Sequence, residues 1–180
     1  SQNNCLAKWP EGQISRRNIG TAWKLIALSG DQEIRSEVLK FVNSNSMTLA
    51  KYALMALHPI SCKERELSLK FFYERWKDRP VILDSWFNLS ASIPNKNGLD
   101  LVNKLLLNPR FDSKAPNAIR AVLGGFINNT LSFHSLDGSG YKFICDQLAE
   151  IDTRNPITAS RLVKVFSRWR NFHFECVNFL

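Results

Sequence analysis

Apolar residues return along this chain at helical intervals. Ile19, Ala22, Trp23 and Ile26 fall at i, i+3, i+4 and i+7, and so do Leu69, Phe72, Tyr73 and Trp76. The same spacing holds for Ile119, Val122, Leu123 and Phe126, for Tyr141, Ile144, Cys145 and Leu148, and for Leu162, Val165, Phe166 and Trp169. It gathers each set on one face of a helix with 3.6 residues per turn. Alternating Val/Ile-rich runs of strand type are missing.

Stop and start signals fall between these stripes. Ser61-Cys62-Lys63-Glu64 has the form of a capping box, in which serine accepts a free backbone N–H and glutamate reaches back. Asn155-Pro156 has the form of an N-cap followed by proline at the first helical position, where no N–H is needed. Gly30 suits a left-handed helix end. Pro59, Pro80, Pro94 and Pro109 stand where they end helices without damaging them.

The pattern predicts about nine helices, near 14–28, 32–43, 48–57, 62–77, 81–91, 98–107, 117–128, 138–151 and 156–171. Short connections make sequential neighbours antiparallel. Hairpins at a period of roughly 35–40 residues predict an all-α fold, an α-solenoid of HEAT or armadillo type, with a compact bundle as the alternative. The expected organisation is a weakly patterned segment 1–13, a solenoid segment 14–171 and a divergent, apolar tail 172–180.

Composition narrows the function classes. With 180 residues, the chain has room for one domain or a compact array of helix pairs. The net charge of +8 permits an acidic partner. The densest basic pair, Arg16-Arg17, is too short for a nucleic-acid tract, so solvated helix faces are the simpler account and no nucleic acid is expected. No apolar run approaches the roughly 18–20 residues of a membrane span. The first residues lack a signal-peptide pattern. Cys5, Cys62, Cys145 and Cys176 stand far apart without a C-x-x-C. That spacing predicts free thiols in the cytoplasm or another reducing compartment.

The segment HSLDGSGYKF (134–143) raises the question of a phosphate loop. Its spacing fails G-x-x-x-x-G-K-[ST], and Phe143 stands where the third glycine of G-x-G-x-x-G belongs. Residues 129–134 read as a helix exit and loop. Asp137 is placed to cap the following helix, while Gly138 and Gly140 permit positive φ or close backbone packing. His58, His134 and His173 form no zinc pair on one helix face. His173-Phe174-Glu175 matches half a deaminase signature, but no P-C-x-x-C follows. No G-x-S-x-G is present. Catalytic residues and metal ligands are therefore expected to be absent from this chain, along with any cofactor of its own. Arg120 and Arg161 lie about 110° and about 90° from the centres of their helices' apolar stripes. At that border an arginine lays its stem on apolar surface and aims its fork at a cavity.

Several segments carry a further signal: ISRRNIGTAWKLIAL (14–28), VILDSWFNLSASIP (81–94), NPRFDSKAPNAIRAVLGGF (108–126), FHSLDGSGYKF (133–143) and DTRNPITASRLV (152–163). In order and with few gaps, they resemble the C-terminal helical domain of the aminopeptidase N family, bacterial-type zinc aminopeptidases. The resemblance implies a helical superhelix. It places the zinc ligands and general base in a separate thermolysin-like domain, on an H-E-x-x-H helix with a downstream glutamate. A G-x-M-E-N loop there would bind the substrate's amino group. None of these motifs occurs in this chain. The positions matching Arg120 and Arg161 belong, by resemblance, to the wall of the cavity facing the active site.

The resemblance thus implies a non-catalytic segment that walls the substrate chamber and controls peptide access to zinc. Its partners would be the catalytic domain of the same enzyme and the peptide substrate. The alternative is a stand-alone HEAT-like module that binds protein or nucleic acid. Residues 172–180 depart from the family, so the chain reads as a fragment, an aberrant gene product or a specialised remnant.

Overall fold

The computed structural model describes residues 11–164 and residue 166, and among them the only regular elements are helices. They are α1 (Glu11–Ala27), α2 (Gln32–Val42), α3 (Met47–Leu57), α4 (Lys63–Trp76), α5 (Pro80–Ala91), α6 (Gly98–Leu106), α7 (Pro116–Asn128), α8 (Thr130–Phe133), α9 (Ser139–Asp152) and α10 (Pro156–Val163). The chain divides into two units, Ser1–Asp78 with α1–α4 and Arg79–Leu180 with α5–α10.

In the first unit α3 is the central helix, packed against α1, α2 and α4. Its sequence MTLAKYALMAL buries Leu49, Ala50, Ala53, Leu54, Ala56 and Leu57. Three alanines among these six residues let neighbouring helices approach closely. Gly20 of α1 does the same from the other side, since a Cβ there would stand 2.7 Å from Cγ of Tyr52. Helix α2 packs on both α3 and α4. Asp31 caps α2 by accepting from Glu33 N at 2.8 Å, and Ser46 caps α3 by accepting from Leu49 N at 3.4 Å. Arg75 of α4 donates to the Asn43 carbonyl at 2.7 Å and to Asn45 Oδ1 at 2.9 Å, tying α4 to the α2–α3 loop.

In the second unit α5 lies along α7. The approach is close because Gly125 faces the Asn88 carbonyl and Ala91 with no side chain between. Asn88 Nδ2 donates to the Ala121 carbonyl at 3.2 Å across the same seam. Helix α6 packs on α5, α7 and α8, and α10 packs on α7 and α9. An aromatic cluster forms the centre: Phe133 stands 6.1 Å from Phe126 and 5.0 Å from Tyr141, ring centre to ring centre. In both units helices pack on their sequence neighbours and on the helix after next, the stacking by which solenoids share one core between successive hairpins.

Several boundaries differ from the sequence reading. Helix α1 begins at Glu11 rather than near residue 14. Its expected stripe is rotated: Ala22 and Ile26 are exposed, while Gly20 and Ala27 are buried. Periodicity counts bulky residues, yet this helix meets Tyr52 of α3 at Gly20. The four residues of α8, expected as loop, form a helical turn. Asn129 breaks α7, and its carbonyl then accepts from Ser132 N and Phe133 N. The capping box at Ser61 does not form, because the N-cap is Cys62, one residue later, and Glu64 is buried. Helix α10 ends at Val163; of the rest of its expected span Lys164 and Phe166 are described, whereas Val165, Trp169, residues 1–10 and the tail lie outside the described residues.

Candidate functional site

Helix α7 starts at Pro116, after an N-cap, Ala115, that offers no side-chain acceptor. One turn in, Arg120 is half-buried. Its Nε donates to the Pro116 carbonyl at 3.2 Å, and its Nη2 donates to Asn117 Oδ1. The guanidinium is thereby folded back over the first turn of its own helix. The adjacent Ile119 is buried. This backbone and side-chain tether fixes where the positive charge sits.

Arg161 lies in the last turn of α10, and α10 packs directly on α7. The two arginines therefore stand on neighbouring helices. Arg161 is exposed rather than at the border of the core, because the side packed on α7 and α9 is carried by Thr158, Ala159 and Leu162. A cation at a helix C-terminus also complements the partial negative charge there.

Between the start of α7 and the α9–α10 turn lies a pocket of about 290 Å³. Its apolar lining is Ile119 and Ile151, and its polar lining is Ser113, Lys114, Arg154 and Asn155. Arg154 donates to Glu150 at 2.8 Å. Asn155 Oδ1 accepts from Thr158 N at 3.0 Å and caps α10. Lys114 and Arg154 were not singled out from sequence. Both stand in loops, where helical periodicity assigns no facing.

The turn into α9 is a helix entrance rather than a phosphate cradle. The N-cap is Gly138, at φ +71°, the left-handed region that glycine tolerates. Asp137 reaches over it, and its Oδ1 accepts from Ser139 N at 3.0 Å and from Ser139 Oγ at 2.7 Å. Hydrogen bonds from the Ser135 side chain and from Ser139 hold its carboxyl below the ordinary carboxylate range. A phosphate here would meet a carboxylate already seated on the first free N–H. At Gly140 a Cβ would stand 2.5 Å from the carbonyl oxygens of both Ser132 and Phe133. Next to it Tyr141 is buried, its hydroxyl hydrogen-bonded to His134 Nδ1, and burial pushes the His134 imidazole down.

Among the described residues no three His, Cys, Asp or Glu side chains gather where they could hold a metal ion. Cys62 is half-buried and Cys145 exposed, both as free thiols. His173, Cys5 and Cys176 lie outside the described residues. No described helix is long and apolar enough to cross a membrane.

Comparison with known proteins gives these features their context. A family model described as a domain of unknown function, DUF3458_C, with ARM repeats matches residues 6–177. Aminopeptidase N of Caulobacter vibrioides is 34% identical over 134 residues, which is 74% of this chain and 15% of that protein. Aminopeptidase N of Escherichia coli is 31% identical over 162 residues, covering 88% of this chain and 19% of that protein. The crystal structure of Legionella pneumophila aminopeptidase A in complex with aspartic acid matches with a TM-score of 0.78 and 27% identity. That match covers 91% of this chain and 20% of the other. The chain thus spans less than a fifth of the curated relatives named here. It belongs to the DUF3458_C family of ARM-repeat domains, as the helical domain of an aminopeptidase N-type protein.

Proposed function

We propose that this helical domain walls the substrate chamber of a zinc aminopeptidase and restricts the peptides that reach the metal, while supplying no catalytic group itself. The observation that carries the reading is the pairing of relationship and placement. Relatives named aminopeptidase N align with 74% and 88% of the chain, and Arg120 and Arg161 stand on the adjoining helices α7 and α10. In this reading the zinc is held by a catalytic domain outside the chain.

The chemistry of the two arginines suits a chamber wall. A peptide presents carbonyl oxygens and a C-terminal carboxylate, and a guanidinium binds both as donor and as cation. Arg120, tethered at Pro116, offers a fixed charge. Arg161, exposed at the end of α10, offers one that can follow the substrate. Together they would favour chains that place an acceptor a set distance beyond the scissile bond. The partners under this reading are the catalytic domain of the same enzyme and the peptide substrate.

The test is to incubate the 180-residue chain with zinc and a fluorogenic aminoacyl substrate. No turnover is expected. Turnover that persists through purification and disappears in a point variant of this chain would overturn the reading.

A further inference from the structure

We propose that the groove between α1 and α2 docks an amphipathic helix whose apolar stripe is flanked by lysine or arginine. The groove has a volume of about 280 Å³. Its floor is Val38 and the Trp23–Phe41 pair, whose ring centres lie 4.6 Å apart, and Ile26 forms a wall. Two of these apolar residues are open to solvent: Ile26 is 44% exposed and Phe41 42%.

Helix α1 is apolar on two sides. One side carries the buried Gly20 and Ala27, and Gly20 meets Tyr52 of α3. The other carries Ile14, Ala22, Leu25 and Ile26 within an arc of about 120° at 100° per residue. All four are exposed. Surface helices ordinarily carry one apolar stripe, and a second one calls for a second partner. Of these four, Ile26 also lines the groove, and exposed apolar residues spaced along one helix present the ridges against which another helix packs.

The charge of the groove selects among helices. Every charged residue that lines it is acidic: Asp31, Glu33 and Glu37. This is so although the whole chain carries +8. Asp31 is engaged in capping α2, and Glu37 pairs with Lys40 only in an exposed i, i+3 contact. Exposed pairs of this kind are weak and exchange readily for a better-placed cation. A second copy of the chain fits poorly, since two such grooves meeting face to face would oppose acid to acid. An incoming helix with basic flanks satisfies both the apolar floor and the acidic rim.

The experiment uses the full 180-residue chain and two labelled 18-residue synthetic helices. They share a leucine stripe and differ in lysine or glutamate on the flanks. Fluorescence anisotropy should show one-to-one binding of the lysine helix that weakens as salt is added. The glutamate helix should bind about tenfold more weakly or worse. Ile26→Glu should weaken the lysine helix about tenfold, as loss of an interface anchor does. The double variant Glu33→Gln/Glu37→Gln, at two exposed positions, should erase the preference between the helices while leaving the melting curve in place. Equal binding of both helices, or binding indifferent to Ile26→Glu and to the double variant, would overturn the proposal. So would a concentration-dependent dimer that Ile26→Glu dissociates, because a second copy would then occupy the groove.

Discussion

Gly140 lies directly against the Phe133 carbonyl: a Cβ on Gly140 would stand 2.5 Å from that oxygen, far inside van der Waals contact. The relationship seats α9 on α8 and places Tyr141 on the Phe133 ring. Gly140→Ala should therefore destabilise the chain by about 1–3 kcal/mol, the usual cost of overpacking. The neighbours are backbone atoms and cannot swing away. A melting temperature equal to that of the unmodified chain would refute this contact.

Two adjacent glycines of α7 make a sharper comparison. Around Gly124 a Cβ would meet nothing within 4 Å, whereas at Gly125 it would strike the Asn88 carbonyl and Ala91. Gly124→Ala should be neutral or stabilise by up to about 1 kcal/mol through helix propensity. Gly125→Ala should destabilise by about 1–3 kcal/mol by forcing α5 and α7 apart. Denaturant titration of the two variants checks the order, and equal midpoints would contradict the packing of this seam.

The same helix shows how much of the fold was legible in the sequence. Ile119, Val122, Leu123 and Phe126, read as one stripe, are all buried. Periodicity succeeds there because bulky side chains do the packing. It misplaced the face of α1 because the buried positions include Gly20, which meets Tyr52 of α3, and Ala27, and neither is a bulky residue. Helix α8 is a single turn, too short to establish a period. The candidate site was legible only where it lies on helices. Arg120 and Arg161 could be placed on their faces, but whether a neighbour covers the last turn of α10 depends on tertiary contacts, and Lys114 and Arg154 sit in loops without a phase.

Asn155 caps α10 through Oδ1, which accepts from Thr158 N at 3.0 Å. Asn155→Ala removes that acceptor and should cost about 1 kcal/mol, with Asn155→Asp or Asn155→Ser retaining most of it. Thermal melts of the three variants check the expectation. Alanine matching serine would show that the cap contributes nothing.

His134 makes stability depend on pH in a defined direction. Burial holds its imidazole below the ordinary value of 6.5 in the folded chain. The unfolded chain then binds its proton at a higher pH than the folded one. The contribution is fully present above 6.5 and is lost as pH falls through the lower folded value. Unfolding midpoints should fall between about pH 7 and pH 5, with a shallower fall in His134→Gln. A slope unchanged by the substitution would place the titrating group elsewhere.

The proposed place of the domain beside a peptide chamber is tested most directly by steady-state kinetics of Arg120→Ala and Arg161→Ala in the full-length aminopeptidase. Each variant would be measured on a multi-residue peptide and on a single-residue aminoacyl amide, with zinc content determined alongside. Loss of a charge-assisted hydrogen bond worth about 1.5–3 kcal/mol should raise KM for the peptide by roughly tenfold or more. The aminoacyl amide, kcat and zinc content should be nearly unaffected. KM values unchanged for the peptide in both variants would contradict the account.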